Sequence, residues 1–353
     1  MERLDTMPAR YPINGTFELT LRCNLQCKMC MFRHSSCENN ALQREELTAS
    51  QWIDLAKQAF DVGTLNLLIT GGEPMVRKDF CQIYEGIYKI GFLITLYTNA
   101  ACVTPRIMEL LRRYPPHRIG VTLYGASNET YEKVTGCPDG FDRAMAGIEQ
   151  LRTLPSVLDF RMTLIKDSVA DADAICQLVQ ERFGAAVTHT EKVFGSVRGG
   201  CCQPENYRLS PEESWELTYG RMLRKIQEKL PPELRSCVKL RQEQVDKNCR
   251  VGQQVYSLMG CSAGMDSYTL TWDGKLLGCQ MLGCFWTDPV KEGFLPAWER
   301  YPYTVQLPQE NATCAACAHR QFCTICPAVR MAECKNLTDI PQYICESTKL
   351  LDR

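Results

Sequence analysis

The chain has 353 residues, 45% hydrophobic and 23% charged, a composition that excludes a disordered protein and suits a large α/β domain with a smaller second domain. Its 40 basic and 41 acidic residues leave a net charge of −1, so charge gives no reason to expect nucleic acid or a membrane as partner. No signal peptide or membrane-length apolar run is visible, which predicts a cytoplasmic chain with reduced thiols. The 21 cysteines against 4 histidines then favour iron–sulfur or zinc chemistry over disulfides.

Strands and helices alternate along the first part of the chain. Apolar runs predict strands at residues 15–21, 65–70, 92–97, 119–124, 160–165 and 187–193. Helical spacing predicts helices at residues 48–60, 80–90, 104–113, 141–154 and 172–183, the first two capped by Thr48 and Asp79. This order favours a parallel sheet, and six units are fewer than the eight of a closed (β/α)8 barrel. We therefore predict an α/β fold with an open, partial (β/α)6 barrel.

The pattern changes in the second part of the chain. A long amphipathic helix is predicted from residue 210 to residue 230, closed by Pro231 and Pro232. Residues 268–278 are typical of a hairpin that turns at Asp273 and Gly274, within a cysteine-rich stretch. We divide the chain into a lead-in (1–14), an α/β core (15–231), a linker (232–248) and a cysteine-rich domain (249–353).

Three cysteines follow the first predicted strand with the spacing Cys23-x3-Cys27-x2-Cys30. In a parallel α/β barrel, the C-terminal ends of the strands carry the chemistry. Three thiolates can bind three irons of a cubane cluster and leave the fourth iron open to an outside ligand. The alternative is half of a zinc site, completed by a distant residue such as His34.

A second motif, Gly71-Gly72-Glu73-Pro74, ends the second predicted strand. Its two glycines allow a ligand to approach the backbone closely, and Glu73 offers a carboxylate to an ammonium group. Alone, the motif is a common turn. A CxxxCxxC after one strand, followed about 40 residues later by GGEP after the next strand, is far more specific.

Together these residues resemble those of the radical S-adenosylmethionine (SAM) enzymes. The resemblance implies that Cys23, Cys27 and Cys30 hold a [4Fe–4S] cluster whose open iron chelates SAM. One-electron reduction would then cleave SAM to methionine and a 5′-deoxyadenosyl radical, which abstracts a substrate hydrogen. The implied SAM contacts are Gly71, Gly72, Glu73, Pro74, Asn99 after the third strand and Thr122 on the fourth.

Two further contacts with the cofactor are expected, one of them from the resemblance. The residue before the third cysteine is often aromatic in the family and is Met29 here, so packing against adenine falls to Met29, Met31 or Phe32. Arg198 can contact the carboxylate of SAM or of a substrate, or it can lie solvated in a loop.

The C-terminal cysteines resemble the SPASM extension of this family, which carries two auxiliary [4Fe–4S] clusters. The resemblance assigns the first cluster to Cys261, Cys279 and Cys326, and the second to Cys314, Cys317, Cys323 and Cys345. A fourth ligand for the first cluster falls to Cys249, with Cys284, Cys334 or a site open to substrate as alternatives. The departure from the pattern is the two-residue gap between Cys323 and Cys326, where the family has three. Spacing alone is equally compatible with a pair of structural zinc ribbons.

Members of the family with this extension mostly modify peptides or proteins. Our first hypothesis is therefore a maturase that installs a thioether or carbon–carbon cross-link in a ribosomally made peptide, and residues 121–136 resemble those of several maturases. Only 22 residues precede Cys23, too few for a winged-helix leader-binding domain. We expect leader recognition by a separate protein or by the barrel, and electrons from a donor such as flavodoxin or ferredoxin.

Two other hypotheses remain. One is an enzyme of sulfatase-maturing type that oxidises cysteine or serine, or a radical SAM dehydrogenase of a small molecule. The other is a zinc-stabilised binding protein on a barrel scaffold. Anaerobically purified protein would be brown if it holds iron–sulfur clusters and colourless if it holds zinc.

Overall fold

The computed structural model describes residues 9–33, 45–196, 198–200, 203–231 and 258–352. Its strands are β1 (Asn14–Glu18), β2 (Asn66–Thr70), β3 (Leu93–Thr98), β4 (Arg118–Leu123), β5 (Val157–Thr163), β6 (Val187–Thr190), β7 (Ser267–Leu270) and β8 (Leu276–Leu277). They form one sheet in the order β6-β5-β4-β3-β2-β1-β7-β8. Strands β1 to β6 are parallel neighbours in chain order, with β6 at one open edge. The predicted α/β fold with a partial barrel is confirmed.

Helices connect the strands and cover the sheet. In the core they are α1 (Ala49–Asp61), α2 (Phe80–Tyr88), α3 (Pro105–Arg113), α4 (Asn128–Thr135), α5 (Gly140–Leu151), α6 (Ala172–Phe183), α7 (Pro211–Trp215) and α8 (Arg221–Glu228). Further along lie α9 (Pro289–Glu292), α10 (Phe294–Thr304), α11 (Ala312–Ala315), α12 (Pro327–Cys334) and α13 (Gln342–Lys349). No described helix is long and apolar enough to cross a membrane.

Helix α1 shows why the periodicity prediction succeeds. The Thr48 hydroxyl accepts the backbone N–H of Gln51, whose side chain accepts the backbone N–H of Thr48, so the first turn has a complete capping box. The apolar face is buried, and Trp52 packs against Phe17 of β1 with ring centroids 5.2 Å apart. The helix is therefore fixed both by its cap and by burial against the sheet.

The predicted cap of α2 is wrong in its chemistry. Asp79 occupies the N-cap position, but its carboxylate makes no capping hydrogen bond. Both carboxylate oxygens instead accept from the guanidinium of Arg77, at 2.9 and 2.8 Å. Arg77 also donates to the carbonyl oxygens of Leu19 and Leu47. This charged pair therefore joins the start of α2 to the segments that follow β1 and precede α1.

The predicted long helix after residue 210 is present but irregular. Ser210 and Glu213 form a capping box at the start of α7. A π-helical segment, Glu216–Gly220, then joins α7 to α8 without a break in the chain direction. The proposed linker at residues 232–248 lies outside the described residues.

The cysteine-rich part of the chain shares the sheet of the core. Strand β7 pairs with β1 in parallel, with Asn14 opposite Ser267, and it continues as an antiparallel hairpin with β8, with Thr269 opposite Leu277. The hairpin prediction is therefore confirmed, with Gly274 in the left-handed region at φ 85°. Because β1 pairs on both sides, the loop after β1 lies between the core and the cysteine-rich part.

Candidate active site

The three closely spaced cysteines line a cleft at the C-terminal ends of the strands. Cys27 is buried, and Cys23 and Cys30 are half-buried in the loop after β1. The cleft has a volume of about 160 Å³. Of the residues predicted to contact the cofactor, the cleft is also lined by Gly71, Gly72, Asn99, Thr122 and Phe32. The structure thus brings together most of the site that the sequence predicted.

Burial raises the pKa values of the thiols in the cleft. Burial, together with the nearby thiols of Cys30 and Cys23, raises the pKa of Cys27 well above its usual range. Burial and the Glu73 carboxylate raise the pKa of Cys23 to about 12. Because thiolates are the metal ligands, these cysteines must lose protons when a metal binds.

Hydrogen-bond donors already point at the sulfurs. The backbone N–H of Leu25 donates to Cys23 Sγ at 3.4 Å, and that of Phe32 donates to Cys30 Sγ at 3.3 Å. Among the described residues, no three Cys, His, Asp or Glu side chains converge on a single-ion site. Binding of a cluster by the three cysteines stays a prediction. His34, the residue suggested for a zinc site, lies outside the described residues.

Gly71 and Gly72 allow a close contact between two backbone segments, and the approach of a ligand to them stays a prediction. A Cβ at Gly71 would overlap the backbone oxygen of Thr20, and a Cβ at Gly72 would overlap that of Arg22. Gly71 also has φ 140°, which disfavours other residues. The N–H groups of Gly72 and Glu73 donate to the carbonyls of Thr20 and Arg22 at 2.7 and 2.9 Å. The glycines therefore allow two chain segments to meet, and this contact places Cys23 beside the GGEP turn.

Glu73 is fully buried behind the wall of the cleft. Its carboxylate accepts the Thr98 hydroxyl at 3.0 Å and the backbone N–H groups of Asn99 and Met75 at 2.8 and 3.2 Å. Burial raises the pKa of Glu73 to about 7. In this structure the carboxylate holds the end of β3 against the GGEP turn, where Pro74 is buried too. Contact between Glu73 and an ammonium group stays a prediction.

The end of β3 carries a strained backbone next to the cleft. Asn99 donates from its side chain to Asn24 Oδ1 at 2.9 Å, and Ala100 follows with φ 60°, a left-handed conformation that costs alanine about 1 kcal/mol. Ala100 is completely buried under helix α5, where Gly147 faces its carbonyl. Tight packing of α5 therefore stabilises the strained turn that positions Asn99.

Replacement of Gly147 by alanine is expected to destabilise the fold. Helix propensity favours alanine by about 1 kcal/mol, but the new Cβ would overlap the Ala100 carbonyl. We expect the free energy of unfolding to fall by about 2 kcal/mol, measured by urea denaturation. The matched control is Gly86→Ala in α2, where the Cβ meets the movable end of the Ile53 side chain. Equal effects of the two substitutions would contradict the packing argument.

The sequence did not single out Tyr124, which lines the cleft, or Asn24, which lies beside it. The Tyr124 hydroxyl hydrogen-bonds Cys27. Tyr124 follows directly after β4 and lines the cleft together with Thr122, which lies two positions earlier in the chain. The period of two along a strand could have identified Tyr124 once Thr122 was suspected. Asn24 sits between two site residues in the structure, but its sequence position gave no signal.

Arg198 is not the solvated loop residue that one prediction allowed. It pairs with Glu18 at 2.7 Å, with side-chain exposures of 7% and 0%. Its guanidinium lies 5.1 Å from the ring centroid of Phe32 and 5.2 Å from that of Trp272. It adjoins the cleft through Phe32 without lining it, so a contact with a cofactor or substrate carboxylate stays a prediction.

The segment after β6 packs directly on the cysteine loop. The Ser196 hydroxyl donates to the Met31 carbonyl at 2.7 Å, and a Cβ at Gly200 would overlap the backbone of Cys30 and Met31. The last part of the barrel thus covers the loop that follows the first strand.

The C-terminal cysteines form the two groups that the resemblance assigned. Burial, together with the nearby thiols of Cys326 and Cys261, raises the pKa of Cys279 to about 11. Burial and the nearby thiols of Cys323, Cys314 and Cys317 raise the pKa of Cys345, and these four cysteines make up the four-cysteine group. A cavity of about 670 Å³ adjoins both groups.

The described residues do not identify a fourth ligand for the group of Cys261, Cys279 and Cys326. Cys249 lies outside the described residues. Cys284 lines a different cavity, beside Arg198 and Trp272, and Cys334 ends helix α12. Neither of these two lines the cavity that adjoins Cys261 and Cys326.

Comparison with known proteins agrees with the geometry. Residues 17–179 match the model of the radical SAM superfamily. The AdoMet-dependent heme synthase of Methanosarcina barkeri is 26% identical, with 88% of this chain and 90% of the relative covered. The PqqA peptide cyclase of Rhizobium meliloti is 31% identical, with 38% of this chain and 35% of the relative covered.

Solved structures share the fold over nearly the whole chain. Streptococcus suis SuiB bound to S-adenosylmethionine has a TM-score of 0.67 at 16% identity, with 98% of this chain and 80% of SuiB covered. The enzyme anSMEcpe with bound AdoMet has a TM-score of 0.63 at 14% identity, with 96% of each chain covered. The cysteine cleft and the partial barrel agree with this match, and residues 17–179 are therefore similar to the radical SAM superfamily.

Proposed function

We propose that the chain is a radical SAM enzyme that abstracts hydrogen from a ribosomally made peptide and leads it to a thioether or carbon–carbon cross-link. The observation that carries this proposal is the three-thiol cleft at the ends of the parallel strands, together with two further groups of neighbouring thiols in the C-terminal part of the chain. The fold likeness supports it, because SuiB has been solved with its precursor peptide SuiA and anSMEcpe with the Kp18Cys peptide.

Cys23, Cys27 and Cys30 would hold the [4Fe–4S] cluster at which SAM binds. When bound, that cluster supplies the electron for reductive cleavage of SAM, the source of the hydrogen-abstracting radical. The chain would hold the sulfurs with the N–H groups of Leu25 and Phe32 and with the Tyr124 hydroxyl. SAM would lie in the same cleft, against Gly71, Gly72, Asn99, Thr122 and Phe32.

The two C-terminal groups would hold auxiliary [4Fe–4S] clusters. Burial and neighbouring thiols raise the pKa of Cys279, Cys326 and Cys345, so these thiols would lose their protons when a metal binds. They would accept the electron that remains after hydrogen abstraction, order the peptide or bind a substrate thiolate. A flavodoxin or ferredoxin would supply electrons to the SAM site.

The test is turnover of a peptide encoded near the gene. Protein reconstituted without oxygen is given SAM, a low-potential reductant and the candidate peptide, and peptide mass is followed. A cross-link removes two hydrogen atoms, and peptide fragmentation then distinguishes it from oxidation of a single cysteine or serine. The peptide assignment would be contradicted if peptides encoded by several neighbouring genes stay unchanged while a small molecule triggers release of 5′-deoxyadenosine.

A tetrapyrrole is the second candidate substrate. Two curated relatives that each cover 88% of this chain, at 26% identity, are named AdoMet-dependent heme synthase and Fe-coproporphyrin III synthase. The same assay with an iron porphyrin in place of the peptide tests this candidate. A mass change of the porphyrin but not of the peptide would favour it.

A further inference from the structure

Arg330 is a buried cation beside the four-cysteine group. It lies in the first turn of α12, four residues after Cys326, and is 8% exposed. One guanidinium nitrogen, Nη1, donates to the carbonyls of Thr338 and Asp339 at 3.0 and 2.6 Å. The other, Nη2, points at Cys314 Sγ at 3.7 Å.

No carboxylate within the described ranges forms an ion pair with Arg330, whereas the buried Arg198 and Arg208 each have one. A buried charge without a countercharge is strongly unfavourable. The carbonyls of Thr338 and Asp339 supply hydrogen bonds but no net charge. The thiol that the guanidinium contacts is that of Cys314, which is buried.

We propose that Arg330 is the countercharge of an iron–sulfur cluster bound by Cys314, Cys317, Cys323 and Cys345, and that it raises the reduction potential of this cluster. The inference rests on the proposed function, because it needs a cluster in this group. Four thiolates give such a cluster net negative charge, and reduction adds one electron without a proton. A fixed positive charge and an N–H···S hydrogen bond both favour the more negative, reduced form.

The position of Arg330 would give the clusters at the two auxiliary sites different reduction potentials. It lines the cavity that also adjoins Cys261 and Cys326 of the other group, but its guanidinium contacts the sulfur of Cys314. The four-cysteine cluster would therefore be the better electron acceptor of the two. Arg330 acts through the ligands as a positioning residue and touches neither SAM nor substrate.

The test is an EPR-monitored redox titration with dithionite as reductant. The Cys23/Cys27/Cys30→Ala chain is used, so that the auxiliary clusters give the signals. With Arg330→Met, we expect one of the two reduction waves to move to lower potential and the other to stay, at unchanged iron content. Arg330→Lys, which keeps the charge, is expected to restore part of the shift.

A control separates charge from loop structure. Asn336 holds the same loop, since its side chain accepts the N–H groups of Thr338 and Asp339 and donates to the Asp339 carboxylate. Asn336→Ala loosens this loop and is expected to leave both waves in place. An equal shift in Asn336→Ala, or no shift in Arg330→Met at full iron content, would overturn the role of Arg330. Iron content that does not fall in Cys314→Ala/Cys345→Ala would instead overturn the cluster assignment on which the inference rests.

Discussion

Alanine at Cys23, Cys27 and Cys30 together is expected to abolish release of 5′-deoxyadenosine. The three thiols share one cleft with the GGEP turn, and the proposed chemistry needs a cluster there. Native and variant chains are reconstituted without oxygen and supplied with SAM and a low-potential reductant, and the nucleoside is measured by liquid chromatography. We expect release from the native chain, alone or with peptide, and none from the variant, a difference on the order of 10³-fold or more.

Cys137→Ala is the matched control. Its thiol packs in the same small apolar cluster as Leu25 and Cys27 but does not line the cleft. The substitution therefore tests disturbed packing without removing a cluster ligand, and we expect most of the activity to remain. Release of 5′-deoxyadenosine by the triple variant, or equal losses in the triple and control variants, would contradict the assignment of the three cysteines.

Removal of Arg198 is expected to be among the most destabilising single substitutions in the chain. Arg198→Met leaves the carboxylate of Glu18 unpaired in a fully buried position. Breaking a buried ion pair on one side costs about 3–5 kcal/mol. We expect a loss of that size in the free energy of unfolding at neutral pH, measured by urea denaturation of the full chain.

The loss should depend on pH in a defined direction. Burial raises the pKa of Glu18 above its ordinary value, and Arg198 opposes that rise. Without Arg198, the folded chain binds the Glu18 proton more tightly than the unfolded chain does. The penalty is therefore smallest below the ordinary carboxyl pKa and grows as pH rises through the raised one. The double variant Glu18→Gln/Arg198→Met should recover most of the stability at neutral pH, and a double variant as unstable as Arg198→Met would contradict the ion-pair argument.

Local patterns predicted most of the core elements. Strands buried on both faces are near-continuous apolar runs, and helices such as α1 carry both a cap and an apolar face. Helix α4 was missed because its charged sequence has weak periodicity. It is defined by the Ser127 cap, by left-handed Gly136 at φ 71°, and by Tyr131 and Val134, which become buried only in the folded chain.

Cysteine spacing by itself predicted only the grouping of the three thiols after β1. The three cysteines after β1 are close in sequence, so one loop must bring them together whatever the rest of the fold does. The grouping of Cys279 with Cys326, and of Cys345 with Cys314, came from the resemblance to a known pattern, and the structure brings these residues together. No local rule links residues so far apart along the chain.

The fold class and the grouping of the three thiols after β1 were readable from the sequence, because they depend on local periodicity and on one short motif. The folded chain was needed to show that β7 extends the core sheet, that Gly71 and Gly72 accommodate the backbone after β1, and that Arg330 faces Cys314. These features join segments that are distant in sequence. Their contacts depend on chain crossings and on the burial of charge, which no window of the sequence contains.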